Sequence, residues 1–377
     1  MSLTIVQFTW GLEIGGQERV VVDLAKAFHN LGFRSAVATT LLKGELTEEL
    51  ESHEIPFHCF ASHKSYNLSL LLNVVSYLQE FQPDVVITHG VSGSIVPKLA
   101  AIFLRVPVFL HVEHTLTPRF TFAAYINQWI YRCADRIICV SSAVRDSFLS
   151  RYRINPEKTS VIHNGVDACR FSPAVKNEKD QRKTVTIIAN FENAKGHIYF
   201  LTAAAIVCRV FPQVQFLLVG EGRLQESLQQ FVAAQNLADH CQFLGKRTDI
   251  ESILNRSDIF VLSSLTEGLP LSLLEAQYFG VATIATRVGG ISEVVAHGIN
   301  GLLVPPRNAN ALATAMLMLL RDDALRHTLG CNAEARIPST FSISVTASKY
   351  VEQIRQVLAN KRSPNPRHNA LTKTVAV

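Results

Sequence analysis

Two carboxylates eight residues apart stand out in Ser263-Ser264-Leu265-Thr266-Glu267-Gly268-Leu269-Pro270-Leu271-Ser272-Leu273-Leu274-Glu275-Ala276. The segment follows an apolar run, and Pro270 suits the first turn of a helix ending near Gly280. Glu267 then lies just ahead of that helix and Glu275 about one and a half turns inside it. At such a helix start the amides of Gly268, Leu269 and Leu271 can face a phosphate. One carboxylate can accept hydrogen bonds from sugar hydroxyls and the other from a ribose. The plainer alternative is an acid at a helix N-terminus and a solvated helix residue. Gly11-Leu12-Glu13-Ile14-Gly15-Gly16-Gln17-Glu18 offers a second such place, because Gly15 and Gly16 let backbone approach a ligand where a strand turns into a helix. A tight strand-to-helix turn accounts for them equally well. Neither this spacing nor Gly220-Glu221-Gly222, with Gln225 where a third glycine belongs, is the G-x-G-x-x-G of a nicotinamide dehydrogenase.

The elements around these residues form a βαβ rhythm. Apolar runs Leu3–Phe8, Ser35–Thr40, Val85–Thr88, Val108–Val112, Arg136–Val140 and Ser160–His163 alternate with helical patterns such as Gln17–His29. A polar stretch, Ala174–Lys183, reads as a linker. The rhythm then restarts with Thr184–Ala189, Gln215–Val219, Cys241–Leu244, Ile259–Leu262, Val281–Thr286 and Gly301–Val304. The expected fold is α/β, with two doubly wound Rossmann-like domains facing a cleft: residues 1–170, residues 171–358, and a basic disordered tail over 359–377. The last amphipathic stretch, Ile343–Ala359, is a candidate to return to the first domain. Ligands of such sheets bind beyond the carboxyl ends of the strands, so the cleft is the place for chemistry.

The chain has 377 residues, 48% hydrophobic and 18% charged, which excludes a disordered or fibrous chain. No window holds about 18 uninterrupted apolar residues and the start lacks an export signal, so the sequence reads as cytosolic. Seven cysteines without a C-x-x-C indicate neither a disulfide framework nor a thiolate zinc site. Residues 1–90 carry ten acidic and five basic side chains, residues 91–172 the reverse, and residues 355–377 five basic and none acidic. The basic stretch and tail suit an anionic membrane surface or polyanionic substrates, the plainer alternative being a solvated tail and ordinary surface charges. Nucleic acid is disfavoured because no binding motif accompanies the charge. The aromatic, basic segment Arg119–Arg132 admits either membrane docking or a helix packing Phe122, Ile126, Trp129 and Cys133 on the core.

The spacing Glu267 to Glu275 resembles the E-x7-E motif of retaining nucleotide-sugar glycosyltransferases of family 4, which have the GT-B fold. Similarity extends over about residues 4–350: Gly15-Gly16-Gln17-Glu18 resembles the G-G-x-E loop, and Val140-Ser141 and Asn164-Gly165-Val166-Asp167 with Phe171 and Pro173 resemble the interdomain signature. Phe243-Leu244-Gly245, Val288-Gly289-Gly290-Ile291-Ser292-Glu293 and Asn300-Gly301-Leu302-Leu303-Val304-Pro305 continue the match.

The resemblance implies that Glu275 holds the donor ribose, that Glu267 contacts donor-sugar hydroxyls and that the Gly15-Gly16 loop covers the diphosphate and sugar. Lys195, in Asn193-Ala194-Lys195-Gly196-His197, corresponds to the lysine that neutralises the leaving diphosphate, a fitting task for a compact cation. His114, in His111-Val112-Glu113-His114-Thr115, corresponds to a histidine reaching the donor sugar; as a metal site the two histidines at i and i+3 lack a definite third ligand, so on pattern alone a structural or hydrogen-bonded histidine outweighs a metal ligand. His89 and His111 are candidates for the acceptor side. One departure stands out: the arginine that the family commonly has five or three residues before the lysine is Asn190 or Glu192 here. Arg19 and Arg247 are candidates to supply the missing cation. The implied activity is metal-independent retaining transfer of a hexose from a nucleoside-diphosphate sugar, a co-substrate rather than a cofactor, to a cell-surface glycan or lipid-linked acceptor. The setting implied is cytoplasmic or peripheral at the inner face of the membrane. A nucleotide-sugar-binding subunit without activity is the alternative, and an epimerase or phosphorylase on this fold fits less well.

Overall fold

The computed structural model describes residues 2–62, 67–90, 95–116, 123–171 and 182–362, with backbone only for 123–126 and 362. Most of the linker, Pro173, Phe122 and the tail beyond residue 362 lie outside the described residues. Residues 359–362 continue the last helix, Ile343–Arg362.

The first sheet contains β1 (Thr4–Thr9), β2 (Arg34–Thr39), β3 (Phe57–Cys59), β4 (Val85–His89), β5 (Val108–Glu113), β6 (Arg136–Cys139) and β7 (Thr159–Val161). The second contains β8 (Lys183–Ile188), β9 (Val214–Val219), β10 (Cys241–Gly245), β11 (Ile259–Leu262), β12 (Ala282–Thr286) and β13 (Leu302–Val304). Their orders are β3-β2-β1-β4-β5-β6-β7 and β10-β9-β8-β11-β12-β13, and all named strand pairs are parallel. Helices cover both faces of such sheets, which is why β1, β4, β5, β11 and β12 are apolar runs buried along their whole length. This is the doubly wound two-domain architecture expected. β3 is an addition: three half-exposed residues at the sheet edge are too short to rise above the background of apolar residues.

The helix over Ala123–Cys133 differs from expectation in the face it buries. Asn127, Ile130, Tyr131 and Ala134 are buried, whereas Trp129 is 54% exposed and Cys133 is exposed. The buried positions follow helical spacing, and Tyr131 stacks on His111 beneath β5 with ring centroids 4.8 Å apart.

The Ile343–Arg362 helix crosses back onto the first domain. Tyr350, 1% exposed, meets Phe28 edge-on at 6.2 Å, Ser160 Oγ donates to Gln353 Oε1 at 3.1 Å, and Lys361 Nζ lies 2.7 Å from Asp135 Oδ1. The chain therefore joins its two domains twice, once forward and once in return. Among the described residues no helix is long and apolar enough to cross a membrane.

Emptying the Tyr350 position removes the largest side chain of this return contact. Tyr350→Ala is expected to lower the unfolding free energy by about 3–5 kcal/mol in urea denaturation. An unchanged midpoint and slope would show that the helix is not seated there.

Candidate active site between the two sheets

The loops following the strands of both sheets enclose a cavity of about 530 Å³. One wall comes from the first domain: Gly15, Gly16 and Arg19 after β1, and His114 after β5. The other comes from the second: Asn190, Glu192 and Lys195 after β8, Lys246 and Arg247 after β10, and the stretch from Thr266 to Glu275 after β11. Every parallel strand ends at the same side of its sheet, so residues far apart in sequence meet at one rim.

Two helices begin at this cavity. The Gly16–Asn30 helix starts after Gly15, which has no side chain to cap it, and the Leu271–Tyr278 helix starts after Pro270. Pro270 is thus the residue before the first turn rather than within it, its φ of −72° and ψ of 123° delivering an extended chain into the helix. First-turn amides lack intrahelical acceptors, so two partially positive helix ends converge on the space where Gly15, Gly16, Gly268, Leu269 and Leu271 form the wall.

Lys195 and Glu267 face each other from neighbouring loops, Nζ to Oε1 at 2.8 Å, and Ser264 Oγ donates to the same Oε1 at 2.7 Å. Lys195 reaches this place because Gly196 turns the chain at φ +64°, where a Cβ would strike the Ser263 carbonyl. Glu275, buried, accepts from Arg170 Nη2 at 2.9 Å through Oε1. Its Oε2 has no partner among the described residues and stands at the wall. Arg170 also holds Asp23 Oδ2 at 3.2 Å. Burial pushes the Asp23 carboxyl up to about 6, against the pull of Arg170 and Arg19.

His114 lines the cavity, and its carbonyl closes on Gly268 of the opposite domain, so any side chain at residue 268 would collide with it. Its Nε2 lies 3.0 Å from His89 Nδ1. His89 is behind His114 and does not line the cavity. His111 does not reach it either: its ring is buried against Tyr131, with Nδ1 3.1 Å from the Thr88 carbonyl. Side chains alternate along a strand, and His111 points to the helix-covered face of β5.

The cations of the cavity each have an acidic partner. Arg19 pairs with Glu49, Lys246 with Glu45 at 3.1 Å and Arg247 with Asp249 at 2.7 Å. Both Arg19 and Arg247 line the wall, as does Glu192, whose charge is met by Arg223 at 2.9 Å. Arg170 was not singled out in the sequence, and Asn164 was named only as part of the interdomain signature. Asn164 Nδ2 donates to the Leu269 carbonyl at 2.9 Å, tying the interdomain turn to the loop before the helix. The signal for Arg170 lay between Asp167 and Phe171, inside the quoted signature.

Residues 14–170 match the family described as Glycosyltransferase Family 4, and residues 170–336 match Glycosyl transferases group 1. An Escherichia coli UDP-Gal:alpha-D-GlcNAc-diphosphoundecaprenol alpha-1,3-galactosyltransferase is 27% identical over 84% of this chain and 86% of its own length. An N-acetyl-alpha-D-glucosaminyl L-malate synthase of Bacillus anthracis is 25% identical over 93% and 96%. Among solved structures, Anabaena HepE in complex with UDP and glucose superposes with a TM-score of 0.82 at 23% identity, covering 94% of this chain and 99% of that one. A Rickettsia africae glycosyltransferase does so with 0.80 at 22%, covering 95% and 99%. With two parallel-sheet domains, a cleft at their carboxyl ends and the two halves matched respectively to the Glycosyltransferase Family 4 and Glycosyl transferases group 1 models, the chain is a glycosyltransferase of GT-B fold.

Proposed function

We propose that the protein is a retaining, metal-independent hexosyltransferase that moves a sugar from a nucleoside-diphosphate donor to a glycan or lipid-linked acceptor. The observation that carries this reading is the convergence of Lys195, Glu267, Glu275 and two helix starts on one interdomain cavity. The likeness, over most of both chains, to a galactosyltransferase whose named acceptor is GlcNAc-diphosphoundecaprenol favours a UDP-hexose donor and a polyprenyl-linked acceptor.

In this reading Glu275 accepts the ribose hydroxyls through Oε2 while Arg170 steadies Oε1. The diphosphate takes Lys195 from Glu267, freeing Glu267 to accept from sugar hydroxyls. As the anomeric carbon–oxygen bond breaks, negative charge grows on the departing phosphate. Lys195 and the helix amides balance it, and Arg19 and Arg247 stand where the arginine absent at Asn190 and Glu192 would act. The acceptor oxygen attacks the same face and its proton passes to the departing phosphate oxygen, so the enzyme supplies no nucleophile. The closed cleft keeps water from the oxocarbenium-like sugar.

The acceptor side of this proposal extends to the membrane. The first domain exposes Phe103 (75%) and Trp129 (54%) beside the exposed Arg105 and Arg132, a mixture suited to the headgroup region of an anionic inner leaflet. The protein is expected to co-sediment with anionic vesicles and less with neutral ones; equal partition would remove this part.

Thermal shift and donor hydrolysis with UDP-, GDP- and ADP-sugars test the main reading, with a shift and slow nucleotide release expected for UDP-hexoses whether or not EDTA is present. A shift without turnover under any acceptor would instead favour the non-catalytic subunit, the alternative suggested by Asn190 and Glu192. Lys195→Ala is expected to lower kcat roughly 100–1,000-fold with little change in donor affinity. Glu275→Gln is expected to weaken donor binding about tenfold with a smaller effect on kcat. Wild-type kinetics in both would overturn the site assignment.

A further inference from the structure

Behind the cavity wall, β1, β4 and the residue following β5 carry three side chains in one line: Gln7, His89 and His114. All three are buried. Gln7 Nε2 donates to the Val21 carbonyl at 3.2 Å, and a carbonyl can only accept, so the orientation of this amide is decided. Its Oε1 therefore faces His89 Nε2, 3.0 Å away, which must carry the proton. A neutral imidazole has one N–H, so His89 Nδ1 is a bare acceptor. His114 Nε2, 3.0 Å from it, must then be the donor. His114 Nδ1, which has no partner among the described residues, is left as a lone pair at the cavity wall.

We infer that Gln7 and His89 are positioning residues which hold His114 as the Nε2–H tautomer, so that it meets the donor as a hydrogen-bond acceptor and requires a hydroxyl there. This rests on the proposed function for the identity of the donor sugar, but the proton placement follows from the hydrogen bonds alone. Burial and the neighbouring His111 hold the His114 ring neutral, its pKa lowered to about 4 against the pull of Glu113, so the cavity meets a neutral imidazole at pH 7. The rings of His89 and His114 also stack, their centroids 5.3 Å apart, which restricts rotation of either.

The test uses the full chain with 15N-labelled histidine, the His114 signals being assigned by their loss in His114→Ala. At pH 7 the wild type is expected to show a bare Nδ1 and a protonated Nε2 on His114. In His89→Leu the acceptor is gone, and in Gln7→Met His89 is released to donate from Nδ1. Both variants are expected to move the His114 proton to Nδ1 in part or in full. His89→Asn, whose side-chain oxygen can take the place of Nδ1, is expected to retain the wild-type pattern. Hydrolysis of UDP-galactose should follow, falling roughly tenfold in His89→Leu and Gln7→Met and far less in His89→Asn, at matched melting temperatures. A protonated Nδ1 in the wild type, or an unmoved proton in both His89→Leu and Gln7→Met, would overturn the inference. So would a His89→Asn that loses as much turnover as His89→Leu while still folded. Should UDP-galactose not be turned over at all, the transferase reading is what suffers, while the imidazole spectra still decide the tautomer.

Discussion

Arg170 is held by two carboxylates that belong to different domains, Asp23 on the first helix and Glu275 on the helix of the donor wall. The chain of charges continues through Arg19 and Glu49 to Lys26 and Asp167, so the interdomain turn, the first helix and the cavity wall share one ionic network. Such groups are costly to bury singly and tolerable only when each finds an opposite charge. Asp23, fully buried, survives there because Arg170 and Arg19 offset part of its desolvation. The distance between the two walls of the cavity is set where this network crosses from one domain to the other.

A second crossing repeats the principle with different chemistry. Glu293 of the second domain accepts from the amides of Ser142 and Ala143 at 3.0 and 3.2 Å and lies 2.9 Å from His163 Nε2, capping a helix of the first domain. Burial opposes its charge, but the amide and imidazole hydrogen bonds prevail and hold its carboxyl below the usual range. Closer to the chemistry the contact is steric: Gly268 passes under the His114 carbonyl with no room for a side chain. Polar ties around the rim and a glycine at the centre together produce a cleft that closes without filling.

The two sheets were legible because parallel strands covered on both faces must be apolar throughout. Runs such as Val85–Thr88 and Ile259–Leu262 therefore stood out without any knowledge of partners. The half-exposed β3 did not, since a three-residue edge strand has no such signature. The outward turn of Trp129 was also missed: Phe122, Ile126, Trp129 and Cys133 are as periodic as the stripe that is buried, and only the position of β5, with His111 beneath Tyr131, selects between them. For the site, spacing drew attention to Glu267, Glu275, Gly15 and Gly16, and the family resemblance to Lys195 and His114. It did not show that Lys195 and Glu267 touch, that Arg170 occupies Glu275, or that His89 and His111 point to opposite sides of their sheet.

What the sequence determined by itself was local: which segments are strands, where glycines permit a close turn, and which helices begin with amides facing the strand ends. These depend on the residue and its near neighbours, and periodicity records them. What only the tertiary structure decided was pairing, namely which acid meets each cation of the cavity and which nitrogen of His114 carries the proton. Those outcomes depend mostly on atoms brought within about 3 Å by segments well separated in the chain, by 25 residues for His89 and His114 and by 201 for Lys246 and Glu45, and hydrogen bonds fall away so steeply with distance and angle that no one-dimensional spacing encodes them.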